Sequence, residues 1–194
     1  MKKTSNPMVN RGKLYVVSAP SGAGKTTLVK DVLNRFKTLS YSVSHTTRAP
    51  RNNEQQGIDY FFISREEFEE KTGQDYWFEW AEVHGNYYGT SKGFIKTSLD
   101  QGKSLILDID VQGTCEIIKS GLEMVTIFIM PPSIEILSKR LENRGSDSKK
   151  VIYTRIENAK IEIAKKNMYQ YVVINNDLDK AIEELCSIFK QEMT

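Results

Sequence analysis

The chain of 194 residues alternates between short apolar runs and stretches in which apolar residues recur at helical spacing. The apolar runs predict buried strands, and the helically spaced stretches predict helices. Strands are predicted at 14–17, 41–44, 104–109, 124–129 and 171–174, and helices at 27–37, 91–101, 111–120, 133–168 with a break at Gly145, and 178–190. Because strands and helices alternate, the pattern predicts an α/β fold with a parallel sheet covered on both faces.

The pattern changes between residues 44 and 93, which are rich in arginine, aromatic and amide residues. Short alternating runs at 60–63 and 77–83 predict strands, and Ser64 followed by two glutamates predicts the start of a helix. We therefore expect a small mixed α+β insertion between elements of the core. Residues 1–11 have no apolar segment, so we expect a flexible N-terminal tail and no signal peptide.

Composition excludes several classes of protein. Hydrophobic residues make up 39% and charged residues 27%, which is ordinary for a soluble domain. The net charge of +2 gives no broad basic field, so nucleic acid is not an expected partner. No apolar run approaches the roughly 18 residues of a membrane span, and Cys115 and Cys186 have no metal-like spacing. These features predict a cytoplasmic protein that does not contact membranes.

Residues 14–27 carry the clearest chemical signal, because an apolar strand leads into a loop of small residues and then into a helix. The segment ends as the motif G-x-x-x-x-G-K-[ST] does, with Ala19 where the first glycine is expected; alanine is acceptable there if its φ is negative. Such a loop binds triphosphates through backbone N–H groups and the helix N-terminus. Lys25 is predicted to reach the β- and γ-phosphates, and Thr26 to coordinate Mg²⁺. The alternative is a glycine- and serine-rich turn before an ordinary helix. The predicted ATP-binding residues of the loop are Ala19, Pro20, Ser21, Gly22, Ala23, Gly24, Lys25, Thr26 and Thr27.

Two carboxylates and several arginines lie at other places where chemistry is expected. Asp108 and Asp110 end an apolar strand and share one face of it, where ligands of parallel sheets gather. They suit a water-mediated Mg²⁺ contact for Asp108 and an orienting contact for Asp110, although Asp110 could also cap the next helix. Arg48 and Arg51 flank Pro50 on a stiff loop that suits phosphate, with a solvated basic loop as the alternative.

Together these segments resemble guanylate kinases. The resemblance rests on SVSHTTRAPR at 42–51, DYFF at 59–62, EWAEVHGNYYGT at 79–90, LDIDVQG at 107–113, PPS at 131–133 and RLENRG at 140–145. It extends in order from about residue 14 to residue 189.

The resemblance implies a three-layer P-loop kinase core at 12–43, 94–132 and 169–190, a GMP-binding insertion at 44–93 and a helical lid at 133–168. Glu79 would accept the N1–H and N2 amine of guanine as a pair, which adenine does not offer. The implied GMP-binding residues are Ser44, Arg48, Arg51, Tyr60, Glu79, Tyr88, Thr90 and Asp110. The implied ATP-binding residues outside the loop are Arg140, Arg144 and Asn175, with Asn175 near the adenine. The implied catalytic residues are Lys25, Arg48, Arg144 and Arg155. Without the resemblance, the lid arginines would be interpreted as a solvated helix face.

The resemblance also implies a reaction. The γ-phosphoryl group of MgATP would pass to GMP, giving ADP and GDP in purine nucleotide metabolism, with Mg²⁺ as cofactor and without a covalent enzyme intermediate. The partners would be ATP and GMP, with dGMP as an alternative acceptor. Two other functions are alternatives: a non-catalytic module that binds phosphorylated peptides in the GMP pocket, and a phosphotransferase acting on AMP, UMP or a small metabolite. The intact Gly24, Lys25 and Thr26 argue against the first, and Glu79 with Ser44 and Thr90 argues against the second.

Overall fold

The computed structural model describes residues 11–51, 53–83, 85–119, 121–143, 145 and 147–193. These residues form two compact units, one from 11–14 and 38–105 and the other from 15–37 and 106–193. The predicted tail lies, apart from Arg11, outside the described residues. The predicted boundaries of the insertion and of the lid remain a prediction.

The elements follow one another in the alternation that the apolar pattern predicts. The strands are β1 Leu14–Ser18, β2 Leu39–Tyr41, β3 His45–Thr46, β4 Phe61–Phe62, β5 Trp77–Val83, β6 Asn86–Ser91, β7 Ser104–Asp108, β8 Val125–Met130 and β9 Tyr171–Ile174. The helices are α1 Lys25–Arg35, α2 Arg65–Gly73, α3 Lys92–Asp100, α4 Val111–Lys119, α5 Ile134–Asn143, α6 Lys149–Ala164 and α7 Leu178–Met193, with a short 3₁₀ helix at Lys166–Met168. None of the described helices combines the length and apolarity that a membrane span requires.

A five-stranded parallel sheet has the strand order β2-β7-β1-β8-β9. Tyr15 of β1 lies opposite Val125 of β8, and Ile127 of β8 lies opposite Tyr171 of β9. Every residue of β1 is buried, which is typical of a central strand covered on both faces. The carboxyl ends of parallel strands meet at one edge, so the loops after β1, β7 and β9 converge there. The predicted α/β class is confirmed.

A separate mixed sheet has the order β4-β3-β6-β5, with β3 parallel to β4 and the other pairs antiparallel. The predicted cap of α2 is present, since Ser64 Oγ accepts a hydrogen bond from the Glu67 N–H at 3.1 Å. Phe68 of α2 is fully buried and stacks on Trp77 with ring centroids 4.2 Å apart. A Cβ at Gly89 would lie 2.9 Å from the Trp77 ring, so glycine is required where β6 passes beneath it.

The predicted strand at 41–44 is wrong. The strand β2 ends at Tyr41 in the five-stranded sheet, and β3 begins at His45 in the mixed sheet. Residues 42–44 connect the two sheets. The prediction failed because local periodicity does not show that a run of strand-forming residues is divided between two sheets. The strand Asn86–Ser91 was not predicted as a separate element, because its polar side chains and Gly89 hide the apolar alternation.

Candidate active site

The phosphate loop joins β1 to α1. Gly22 and Gly24 both have φ of +96°, a left-handed conformation that glycine adopts without strain. Among the described residues with other side chains only Asp75 has positive φ, so Ala19 has the negative φ that its substitution for glycine requires. The helix α1 begins at Lys25, immediately after the loop and two residues before the predicted range of 27–37. The N-terminus of α1 therefore follows two glycine turns, which is the arrangement that binds phosphate groups.

Lys25 forms an ion pair with Asp108 at the end of β7. Its Nζ also lies 3.4 Å from the backbone oxygen of Ile109, to which it donates a hydrogen bond. Both ionic side chains are mostly buried, at 20% and 16% exposure. The two residues meet because β7 is next to β1 in the sheet. The structure thus brings together the predicted phosphate-binding lysine and the carboxylate predicted to approach the metal.

Thr26 and Asp108 offer the oxygen donors that Mg²⁺ prefers. Thr26 is the second residue of α1 and is exposed, and Asp108 ends the neighbouring strand. In the described part of the chain, His, Cys, Asp and Glu form no group of three or more that could hold a metal. A magnesium ion here would therefore take most of its ligands from phosphate oxygens and water, as Mg²⁺ in nucleotide sites does. The residues present fit such an ion.

Asp110 caps α4. Its Oδ1 accepts a hydrogen bond from the Gly113 N–H at 2.7 Å, and its backbone oxygen accepts one from Thr114 Oγ1 at 2.9 Å. The capping alternative is therefore present in the structure. Asp110 and the other predicted GMP-binding residues belong to different compact units, so its contact with GMP stays a prediction.

Arg155 of α6 lies against the phosphate loop. Its Nη1 donates to Ser21 Oγ at 2.8 Å, and its Nη2 lies 3.3 Å from Asp147 Oδ1. Asp147 is mostly buried, so it holds the guanidinium near the loop. The predicted catalytic Arg144 lies outside the described residues.

Arg140 and Asn175 also lie beside the loop. Arg140 Nη2 donates to the backbone oxygen of Asn175 at 2.9 Å, and Asn175 Nδ2 donates to the backbone oxygen of Ala23 at 2.7 Å. Asn175 is buried, with 5% exposure. Of the two residues predicted to bind ATP here, Asn175 thus contacts the loop itself.

Glu162 is a titratable group near the loop that sequence reasoning missed. Burial, together with the charge of Asp110, raises the pKa of Glu162 to about 7, although Lys25 and Lys165 act in the opposite direction. A carboxyl group on α6 therefore shares the electrostatic environment of the loop lysine. Its position 137 residues after Lys25 gives no local signal in the sequence.

In the other unit, Glu79, Thr90 and Ser44 form one buried polar cluster. Thr90 Oγ1 donates to Glu79 Oε1 at 2.6 Å, and Ser44 Oγ lies 3.4 Å from Thr90 Oγ1. Glu79 of β5 lies opposite Thr90 of β6 in the antiparallel ladder, which brings the two side chains to the same face. The three residues predicted to read guanine therefore lie together.

Arg48, Tyr60 and Tyr88 form a second cluster in this unit. The Arg48 guanidinium carbon lies 5.6 Å from the centre of the Tyr60 ring, and the Tyr60 and Tyr88 rings are 5.9 Å apart. Arg48 Nη2 donates to both carboxylate oxygens of Glu54, at 2.8 and 2.9 Å. Burial disfavours the charged guanidinium, but hydrogen bonds with Glu54 and Tyr88 raise the pKa of Arg48 overall.

Glu54 is a further residue whose role the sequence did not reveal. Its Oε2 also accepts a hydrogen bond from the Arg51 backbone N–H at 2.8 Å. One carboxylate therefore holds the side chain of Arg48 and the backbone of Arg51, the two arginines predicted to bind the GMP phosphate. The sequence feature that could have indicated this role is the position of Glu54, three residues after Arg51.

A glycine-rich loop between a buried strand and a helix, with lysine at the helix start and aspartate on the neighbouring strand, defines a P-loop protein of the α/β class. The family model for guanylate kinase matches residues 11–192. A guanylate kinase of Hahella chejuensis is 50% identical over 94% of this chain and 88% of its own length. A guanylate kinase of Geobacter sulfurreducens is 47% identical over 95% and 91%.

The solved structures agree with the sequence relatives. The present structure aligns with a crystal structure of guanylate kinase from Anaplasma phagocytophilum with a TM-score of 0.75 and 33% sequence identity. The alignment covers 94% of this chain and 87% of that chain. The chain belongs to the guanylate kinase family.

Proposed function

We propose that this chain transfers the γ-phosphoryl group of ATP to GMP, giving ADP and GDP, with the residues described above as its active site. The reaction is the one that gives its family its name. GMP is proposed as the acceptor because of Glu79. Its carboxylate is buried, with 8% exposure, and accepts a hydrogen bond from Thr90. A buried carboxylate with acceptor capacity left over favours a ligand that presents two adjacent N–H donors.

Guanine is such a ligand. Its N1–H and N2 amine lie side by side and can both be accepted by one carboxylate, while the Ser44 hydroxyl can act as a donor to O6. The Thr90 hydroxyl donates to Glu79 and so orients that carboxylate. Adenine has an acceptor at N1 and no amine at C2, so Glu79 would be left facing a lone pair. A site built on hydrogen bonds rejects such an analogue by about 10⁴ or more.

Arg48, Arg51, Tyr60 and Tyr88 provide donors for the phosphate of GMP in this proposal. Guanidinium groups pair with phosphate oxygens through two parallel hydrogen bonds, and phenol hydroxyls add further donors. Glu54 already orients Arg48 through both carboxylate oxygens. The arginine is thereby held in one geometry before a phosphate reaches it.

On the ATP side, the loop from Ala19 to Thr27 would hold the phosphates and Lys25 would contact the β- and γ-phosphates. Mg²⁺ bound by Thr26 and, through water, by Asp108 would neutralise charge on the phosphates. Arg155 lies 2.8 Å from Ser21 of the loop, and with Arg48 and Arg144 it would stabilise the charge on the transferring group. Phosphoryl transfer needs positioning and electrostatics, which these residues would supply. A cytoplasmic location belongs to the same proposal, because ATP and GMP are cytoplasmic metabolites.

The test is a coupled assay of ADP release with ATP and Mg²⁺, in which GMP, AMP, UMP and CMP are offered in turn. The proposal predicts turnover with GMP and at least ~10³-fold lower kcat/KM with AMP. Equal turnover with another monophosphate would show a different acceptor. No turnover with any of the four would favour the non-catalytic binding module.

A further inference from the structure

We propose that Asn175 is a positioning residue that holds the Ala23–Gly24 peptide of the phosphate loop in its phosphate-binding orientation. The inference rests on the proposed function, because it assigns a role within the ATP site of that reaction. It gives Asn175 a task that does not involve the adenine base.

Asn175 is itself held firmly. It follows directly after β9, and its backbone N–H donates to the Met130 oxygen of the neighbouring strand β8 at 2.8 Å. Its side chain is buried, and Nδ2 lies 2.7 Å from the Ala23 backbone oxygen. Both ends of the contact are thus anchored at the carboxyl edge of the parallel sheet, since Ala23 is fully buried as well.

The hydrogen bond determines where the next N–H group points. The oxygen of Ala23 and the N–H of Gly24 belong to one planar trans peptide, in which these two groups point in opposite directions. The Ala23 N–H donates to the Pro20 oxygen at 3.0 Å, so the peptide on the other side of Ala23 is held too. When Asn175 holds the Ala23 oxygen, the Gly24 N–H is directed away from Asn175. A phosphate nest is built from N–H groups held in this way.

Gly24 and Asn175 also fit each other sterically. A Cβ at Gly24 would lie 2.3 Å from Asn175 Nδ2, far closer than any real contact. The amide therefore fills the space that a side chain at position 24 would need. Arg140 of α5 donates to the backbone oxygen of Asn175 at 2.9 Å, which links the same residue to the helix that begins the predicted lid.

The experiment compares two ligands, ATP and inorganic tripolyphosphate, both with Mg²⁺. Tripolyphosphate has no base, so its affinity reports on the loop alone. Binding is measured by competition against a fluorescent ATP analogue for the wild type, Asn175→Ala and Asn175→Leu. The leucine variant keeps the branched shape of the side chain but has no hydrogen-bonding group. Asn176→Ala is the matched control, because Asn176 is the adjacent asparagine and is exposed.

A positioning role predicts that both Asn175 variants lose about tenfold or more in affinity for ATP and for tripolyphosphate alike. The KM for GMP should stay within twofold, and the Asn176→Ala control should match the wild type. An adenine contact would instead weaken ATP and leave tripolyphosphate unchanged, which would overturn the proposal. Equal losses for ATP and GMP in both variants would show a general structural role and would also overturn it.

A double substitution tests the steric part. Gly24→Ala should reduce affinity for tripolyphosphate strongly in the wild-type background, because the new Cβ meets the amide and alanine is strained at the φ of +96°. In the Asn175→Ala background the same change should cost several-fold less, since the collision is removed and only the backbone strain remains. Equal costs in both backgrounds would contradict the contact. Failure of the wild type to bind tripolyphosphate would count against the phosphate site itself, and therefore against the proposed function.

Discussion

At the scale of single residues, the charged side chains of the two predicted nucleotide sites are held by specific partners. Glu79 is buried and accepts a hydrogen bond from Thr90 at 2.6 Å, whereas Glu82 of the same strand is exposed. Lys25 is paired with Asp108 at the edge of the parallel sheet. Because each pair depends on one side chain, a single conservative substitution can test its predicted role.

Glu79→Gln should reduce kcat/KM for GMP by about a hundredfold and leave the KM for ATP nearly unchanged. Glutamine keeps the size and one acceptor oxygen but presents an NH₂ group where guanine also presents a donor. Losing one charge-assisted hydrogen bond and leaving another group unpaired costs on the order of 3 kcal/mol. Steady-state kinetics with each substrate varied in turn measure the effect.

The control for this variant is Glu82→Gln, which changes an exposed carboxylate three residues along the same strand. It should alter kcat/KM for GMP by no more than about twofold, because exposed substitutions stay within about 0.5 kcal/mol. A loss of less than threefold in Glu79→Gln would mean that Glu79 does not read guanine.

The sequence identified the residues of these sites, but it did not show which residues they contact. Lys25 and Thr26 could be assigned because the phosphate-loop motif is continuous in the chain. The pairing of Lys25 with Asp108 depends on β7 being next to β1, and the contact of Asn175 with Ala23 joins residues 152 positions apart. Strand order is not a local property of the sequence, so neither contact was predictable from periodicity.

At the scale of elements, the mixed sheet is organised around an aromatic cluster that contains one histidine. His45 of β3 stacks on Phe61 with ring centroids 4.8 Å apart and meets the edge of Trp77 at 5.1 Å. Burial, reinforced by the charge of Lys71 and opposed by Glu67, lowers the pKa of His45 to about 4. The sequence showed two short strands here, but the burial of His45 between aromatic rings became apparent only in the fold.

This pKa makes stability depend on pH. His45 binds its proton with a pKa near 6.5 in the unfolded chain and near 4 in the folded chain, so the unfolded state holds more protons between these values. Stability should therefore fall as pH decreases from 6.5, and His45 should account for about 2 kcal/mol of loss by about pH 4.5. Urea unfolding of the wild type at pH 7 and at pH 4.5 measures the change.

His45→Phe is the matched variant, because phenylalanine fills the aromatic site and does not titrate. Its loss of stability between the two pH values should be smaller than that of the wild type by about 2 kcal/mol. If the two proteins lose the same free energy of unfolding, His45 is not the group responsible.

At the scale of the whole molecule, the family relationship and the fold agree. The family model matches residues 11–192, and the described residues include most of those predicted to contact the two nucleotides. One compact unit holds the phosphate loop with Lys25, Asp108 and Arg155, and the other holds Glu79 and its neighbours. The motifs that lie in each unit were recognisable in the sequence, while the predicted division at residues 44, 93, 133 and 168 is still to be tested.

The central claim is that the γ-phosphoryl group passes from ATP to GMP on this chain. The most direct measurement incubates the protein with Mg²⁺, ATP labelled in its γ-phosphate, and GMP, and then separates the labelled products. We expect labelled GDP in the wild type and none in Lys25→Met, whose circular dichroism and GMP affinity should match the wild type. Label appearing only as inorganic phosphate, or equal labelled GDP in Lys25→Met, would contradict it.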